Sequence, residues 1–158
     1  MSERAERPNR WPWPPIVYSA ATLAALGLSF VLPLPWFGSP ISDILFAAGV
    51  IAMLGAIALD LSAMNTLARA KTTIWPNRRS DHLVHAGPFT FTRNPIYLGN
   101  TTLMIGAGLA FGLIWFVVLA FVAAFITQKI AIEREEAHLD ARFGKSYRDY
   151  RKKVRRWI

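Results

Sequence analysis

Residues 96–128 read IYLGNTTLMIGAGLAFGLIWFVVLAFVAAFITQ, a run with no charged side chain. A helix needs about 20 apolar residues to cross about 30 Å of hydrocarbon. As one helix this run would be roughly 50 Å long at 1.5 Å per residue, too long for one crossing. Two legs of about 16 residues each are short but workable when their polar ends reach for the interface. Gly106, Gly108 and Gly112 lie near the middle, where a tight turn needs residues without a Cβ. The run predicts a helical hairpin over residues 96–132 with its tip near Gly108–Gly112.

Upstream, residues 11–59 carry one charge, Asp43. Two further spans fill residues 16–64: Ile16–Leu32, closed by Pro33 and Pro35, and Ile41–Met64. Proline ends a helix because it lacks a backbone donor and clashes with the preceding turn. Residues 1–15 form a polar, proline-rich arm in which Trp11 and Trp13 suit the membrane interface. Its prolines and the lack of a small-residue cleavage site do not fit a signal peptide. Residues 65–95 are a polar loop. Residues 133–158 are a charged tail in which Leu139, Phe143, Tyr147, Tyr150 and Val154 recur at helical spacing, so the tail reads as an amphipathic helix on the membrane surface or over the polar loop, with Gly144 as a bend.

All 18 Lys and Arg fall in the arm, the middle loop and the stretch after Gln128. Lys and Arg collect in cytoplasmic segments, so these three, with both termini, are expected in the cytoplasm. The expectation is a single all-α integral-membrane domain of about four transmembrane helices in a bacterial inner membrane. The net charge of +8 follows from this topology, so no nucleic-acid partner is expected. The chain has no cysteine, which excludes disulfides, thiolate chemistry and Cys-type zinc sites. His82, His85 and His138 are too scattered for a metal set. Asp60, near the cytoplasmic end of the second span, reads equally as a functional carboxyl and as a solvated one.

The hairpin returns the chain to its starting side, so Arg93–Tyr97 and Glu133–Glu136 should meet at one surface. The order of residues there is distinctive: Leu83-Val84-x-x-Gly87-Pro88-Phe89-x-x-x-Arg93-Asn94-Pro95-x-Tyr97-x-Gly99, then Glu135-Glu136-x-x-Leu139-x-x-x-Phe143-Gly144-x-x-Tyr147-x-x-Tyr150-x-x-x-Val154-x-Arg156. Together these blocks resemble the integral-membrane methyltransferase superfamily of isoprenylcysteine carboxyl methyltransferases and phospholipid N-methyltransferases. The resemblance covers about residues 72–158; the first two spans match only as hydrophobic helices.

That resemblance implies S-adenosylmethionine as cofactor and a lipophilic small-molecule or lipid substrate within the bilayer. Carried over by position, His82, Leu83, Val84, Phe89, Asn94, Pro95, Ile96, Tyr97, Glu135 and Glu136 are the candidate cofactor-binding residues. Arg93 would orient the loop or neutralise a carboxylate, and Glu136, His85 and His138 are the candidate bases. The residue types suit the cofactor. A carboxylate such as Glu135 can take its ammonium or ribose hydroxyls through charge-assisted hydrogen bonds, and backbone donors at a helix N-terminus near Pro95 can take its carboxylate.

The chain departs from the family pattern at three places. Phe89 stands where relatives often have Tyr, and Asn94 where many carboxyl methyltransferases have His. Ala131 stands where relatives acting on isoprenylcysteine carry an Arg that holds the substrate carboxylate; Lys129 and Arg134 are the candidate substitutes in substrate binding. The resemblance implies an isoprenylcysteine carboxyl methyltransferase-like enzyme; phospholipid N-methylation is the alternative, and a non-catalytic membrane subunit or lipid-binding module a further one. The sequence sets no expectation for oligomeric state.

Overall fold

The structure, a computed structural model, describes residues 13–70 and 83–158. Its helices are α1 (Trp13–Val31), α2 (Ile41–Arg69), α3 (Pro95–Phe111), α4 (Ile114–Thr127), α5 (Glu133–Phe143) and α6 (Lys145–Lys153). A 3-10 turn at Gly87–Thr90 precedes α3, and a π turn at Gln128–Ile132 links α4 to α5. No strand occurs among the described residues. Three helices are long and apolar enough to cross a membrane: α1, α2 and the continuous helix Ile114–Phe143. With its 17 residues α3 spans about 26 Å at 1.5 Å per residue. That is the short leg expected of a hairpin, and it gives a bundle compatible with four crossings.

The bundle is ordered α2, α3, α4, α1 by contact. Its interior is built from small residues: Ala25, Ala56, Ala63, Ala120 and Ala123 are fully or almost fully buried. Bulky side chains such as Leu23, Phe30, Ile51, Leu54, Phe121 and Phe125 face outward. This is the inverse of a water-soluble core. In lipid, apolar burial gives helices no reason to associate, and close backbone packing through small residues takes over.

The closest approach is between α2 and α3. A Cβ at Gly49 would lie 2.5 Å from Ala110 N and 2.6 Å from Gly106 O. Gly49→Ala is therefore expected to cost about 1–3 kcal/mol through overpacking, seen as a lower Tm in detergent. Gly55→Ala, on the same helix with no atom within 4 Å, should leave Tm unchanged or raise it.

The hairpin turn falls where the sequence places it. α3 ends at Phe111 and Gly112 adopts a left-handed conformation, φ +70°, the usual way a glycine stops a helix. Leu113 N then donates to Gly108 O at 2.8 Å. Three boundaries differ from the sequence reading. Helix α1 begins at Trp13, with Pro14 and Pro15 in a first turn whose N–H groups need no partner. Helix α2 runs past Met64 to Arg69. The tail is two helices, because Gly144 at φ +52° ends α5 and turns the chain into α6. Helix α5 continues α4 directly, and it is α6 that packs against residues 85–93.

Candidate active site

Two segments meet at the charged end of the bundle. The first is Phe89–Tyr97, where the 3-10 turn leads into α3. The second is α5 with the residues after α6. Val154 leaves α6 in extended backbone, and the last residues run as a strap beside Thr92. Thr92 and Arg155 form an isolated parallel bridge. Arg93 N donates to Arg155 O at 3.0 Å, Thr92 Oγ1 donates to Arg156 O at 3.2 Å, and Trp157 Nε1 donates to Gln128 Oε1 at 2.8 Å.

Glu136 is the centre of this region and is buried. Arg156 holds it from two atoms, Nε to Oε1 at 2.8 Å and Nη2 to Oε2 at 2.7 Å. Arg93 Nη1 meets Oε1 at 3.0 Å and also donates to the Tyr147 hydroxyl at 3.0 Å. A buried carboxylate clamped by two guanidiniums is stable only because each charge has partners. The hydrogen bond to Glu136 pushes Arg156 further up from an already high value. Burial first, then the Glu136 charge, raises the Tyr147 phenol. Burial pushes Tyr150 up to about 12. Both phenols therefore keep their protons at neutral pH, and Tyr150 donates to Phe89 O at 2.7 Å.

Asn94 serves this strap. Its Nδ2 donates to Arg156 O at 2.9 Å, and its own N–H donates to Thr92 Oγ1 at 3.2 Å. No side chain caps α3, which begins at Pro95, so the first-turn donors around Ile96 and Tyr97 are left to another acceptor.

At Tyr97, within the first turn of α3, the geometry changes. The Tyr97 hydroxyl donates to Glu135 Oε1 at 2.7 Å, whereas Glu135 Oε2 has no hydrogen-bond partner among the described residues. Arg93 Nε is buried and likewise without one. A carboxylate oxygen and a guanidinium donor without partners among the described residues, beside a helix start that no side chain caps, are the groups that a molecule carrying both an ammonium and a carboxylate requires. The donor set therefore fits S-adenosylmethionine.

Behind Tyr97, its carbonyl accepts from Thr101 Oγ1 at 2.8 Å and from the Tyr18 hydroxyl at 3.2 Å. Tyr18 opens a cavity of 550 Å³ between α1, α3 and α4, lined among others by Ser19, Asn100, Leu103, Met104 and Phe116. On the α2 side, Asp60 packs against Gly99 with Oδ1 buried and without a hydrogen bond.

Of the residues singled out from sequence, Phe89, Arg93, Asn94, Pro95, Ile96, Tyr97, Glu135 and Glu136 gather here. Leu83 and Val84 are half-buried just upstream, and His82 lies outside the described residues. Lys129 is paired with Glu133 at 2.8 Å on an exposed face, and Arg134 is exposed; neither takes part in the cluster. His85 is exposed with its ring 5.8 Å from that of Tyr150. Ala131, where an Arg would hold a substrate carboxylate in some relatives, is fully buried. Sequence reasoning gave Thr92, Tyr147 and Arg156 no part in the site. Tyr147 and Arg156 stand in the second motif block, which was the available signal; Thr92 carried none.

The chain belongs to the phospholipid methyltransferase family, which it matches over residues 44–146. It is also similar to an uncharacterized protein of Haemophilus influenzae, 40% identical over 57 residues, which are 36% of this chain and 81% of that protein. No solved structure matches the chain.

Proposed function

We propose that the protein uses S-adenosylmethionine to methylate a lipophilic acceptor that reaches the site from the bilayer. The observation that carries this reading is Glu135, held by Tyr97 through Oε1 at the meeting point of the two motif blocks, with Oε2 unbonded among the described residues. The cofactor, when bound, supplies a methyl group activated on a sulfonium sulfur. Glu135 Oε2 binds its ammonium or ribose hydroxyls. Arg93 Nε and the first-turn donors of α3 receive its carboxylate. Tyr97 fixes the Glu135 rotamer, and the Glu136–Arg93–Arg156 clamp holds the surrounding backbone. Most of the rate enhancement is then alignment of acceptor, methyl and sulfur in a site shielded from water.

The cavity beside Tyr18 suits the acceptor's apolar part, since its volume of 550 Å³ lies within the usual range for small-molecule sites. In topology, the reading places the charged end and both termini in the cytoplasm, where the cofactor is available.

The acceptor is proposed to be an amine headgroup lipid. Arg93 and Arg156 are already engaged by Glu136; Lys129 is engaged by Glu133, and Ala131 offers no charge. A substrate carboxylate would have little to pair with. Carboxyl O-methylation is the competing reading, supported by the first motif block. Membranes incubated with methyl-labelled cofactor and then extracted separate the two: base-stable label in the lipid fraction is expected, and base-labile label would identify an ester. For the cofactor itself, Tyr97→Phe should weaken affinity by about 3- to 10-fold, the contribution of one positioning hydrogen bond of about 1 kcal/mol, read by calorimetric titration.

A further inference from the structure

The end of the chain presents a second surface that the cofactor site does not use. Helix α6 turns Tyr147 inward and leaves Arg151, Lys152 and Lys153 exposed, followed by exposed Arg155 in the strap. Arg151, Lys153 and Arg155 have no carboxylate partner among the described residues; Lys152 has only a long contact of 3.7 Å to Asp149, itself half exposed.

The level of this surface relative to the bilayer is set by the residue that follows it. Trp157 Nε1 is bonded to Gln128 Oε1, and Gln128 is the first residue after the uncharged span α4. Tryptophan at the end of a span sits at headgroup depth, with its ring in the interface and its N–H on a polar partner. Ile158, 77% exposed, adds an apolar tip at the same level. The strap thus comes back to the membrane boundary carrying unpaired cations, while Tyr147, Tyr150 and the Thr92 bridge fix the opposite side of the segment to the protein.

From this placement we propose that Arg151, Lys153 and Arg155, with Lys152 beside them, bind the phosphates of anionic phospholipids in the leaflet that the charged end faces, with Trp157 and Ile158 seated in the interface. The occupant is chosen by charge and depth. Basic residues immediately outside a span attract anionic headgroups, and each contributes a similar increment. The surface stands apart from the methyl-transfer reading and does not depend on it.

The full-length protein reconstituted in phosphatidylcholine vesicles tests the proposal. Spin-labelled phosphatidylglycerol and spin-labelled phosphatidylcholine are added separately, and the fraction of motionally restricted label gives the relative association constant. The expected preference for phosphatidylglycerol is on the order of threefold to tenfold at low ionic strength. It should fall towards equality in 1 M salt, where the screening length is about 3 Å. The R151Q/K153Q/R155Q variant should lose it, while R151K/R155K should keep it. Lys129→Gln, next to the boundary residue Gln128 but already paired with Glu133, should also keep it. Absence of preference in the unaltered protein, or preference surviving both the triple variant and high salt, overturns the proposal. If the triple variant does not reconstitute, the salt dependence of the unaltered protein with its R151K/R155K counterpart decides the matter.

Discussion

Glu136→Ala is expected to lower the unfolding free energy by about 3–5 kcal/mol, the cost of leaving buried charges without their counter-ion. Arg93 is the charge that suffers most: its side chain is 9% exposed, and its charged neighbour across the cluster is Glu136. Arg156, at 31% exposed, can recover part of its loss in water. Arg156→Ala should therefore cost less than Glu136→Ala, because Glu136 then still pairs with Arg93. The double variant should cost less than the sum of the two, with a coupling of about 0.5–3 kcal/mol. Thermal unfolding in detergent supplies the three values. Limited proteolysis should show the segment after Gly144 becoming accessible first, since α6 and the strap are tied to the bundle through this cluster. A Glu136→Ala protein with unchanged Tm and unchanged proteolysis would remove Glu136 from the structural role given to it.

The neighbouring carboxylate should behave in the opposite way. Glu135→Ala is expected to raise the dissociation constant for S-adenosylmethionine by about 10- to 100-fold, from losing a hydrogen bond to a charged group worth about 1.5–3 kcal/mol. Its effect on stability should be small, because its hydrogen-bond partner among the described residues is the Tyr97 hydroxyl. The two adjacent glutamates thus separate by measurement, one by Tm and the other by cofactor affinity. Glu135→Gln, which keeps a hydrogen-bond acceptor and loses the charge, should fall between alanine and the unaltered protein if the partner is the cofactor's ammonium. It should bind almost as well as the unaltered protein if the partner is a ribose hydroxyl.

Much of the bundle was legible in the chain because it rests on local rules. The charge-free run at 96–128 exceeded one bilayer, and glycines marked the turn, so Gly112 with its positive φ falls within the expected tip. The alternation of charged and apolar residues after Gln128 exposed the inward stripe that buries Tyr147 and Val154. What sequence could not show is set by contacts between distant residues. Nothing near Asn94 announces that its amide would bond Arg156 O, 62 positions away. Glu135 and Glu136 are indistinguishable as letters, and only the return of the strap separates them by giving Arg156 to one and not the other. The continuation of α4 into α5 through the π turn was likewise invisible, because the abrupt rise in polarity at Glu133 reads as a break. The backbone ignores it, and the chain turns later, at Gly144.

The central claim is that Glu135, together with the donors at the start of α3, binds S-adenosylmethionine. Isothermal titration of the purified, detergent-solubilised protein with the cofactor tests it most directly. The account predicts saturable binding at one site per chain, weakened by Glu135→Ala in a protein whose Tm is unchanged. No saturable heat with the unaltered protein, or binding that Glu135→Ala leaves untouched, would contradict it.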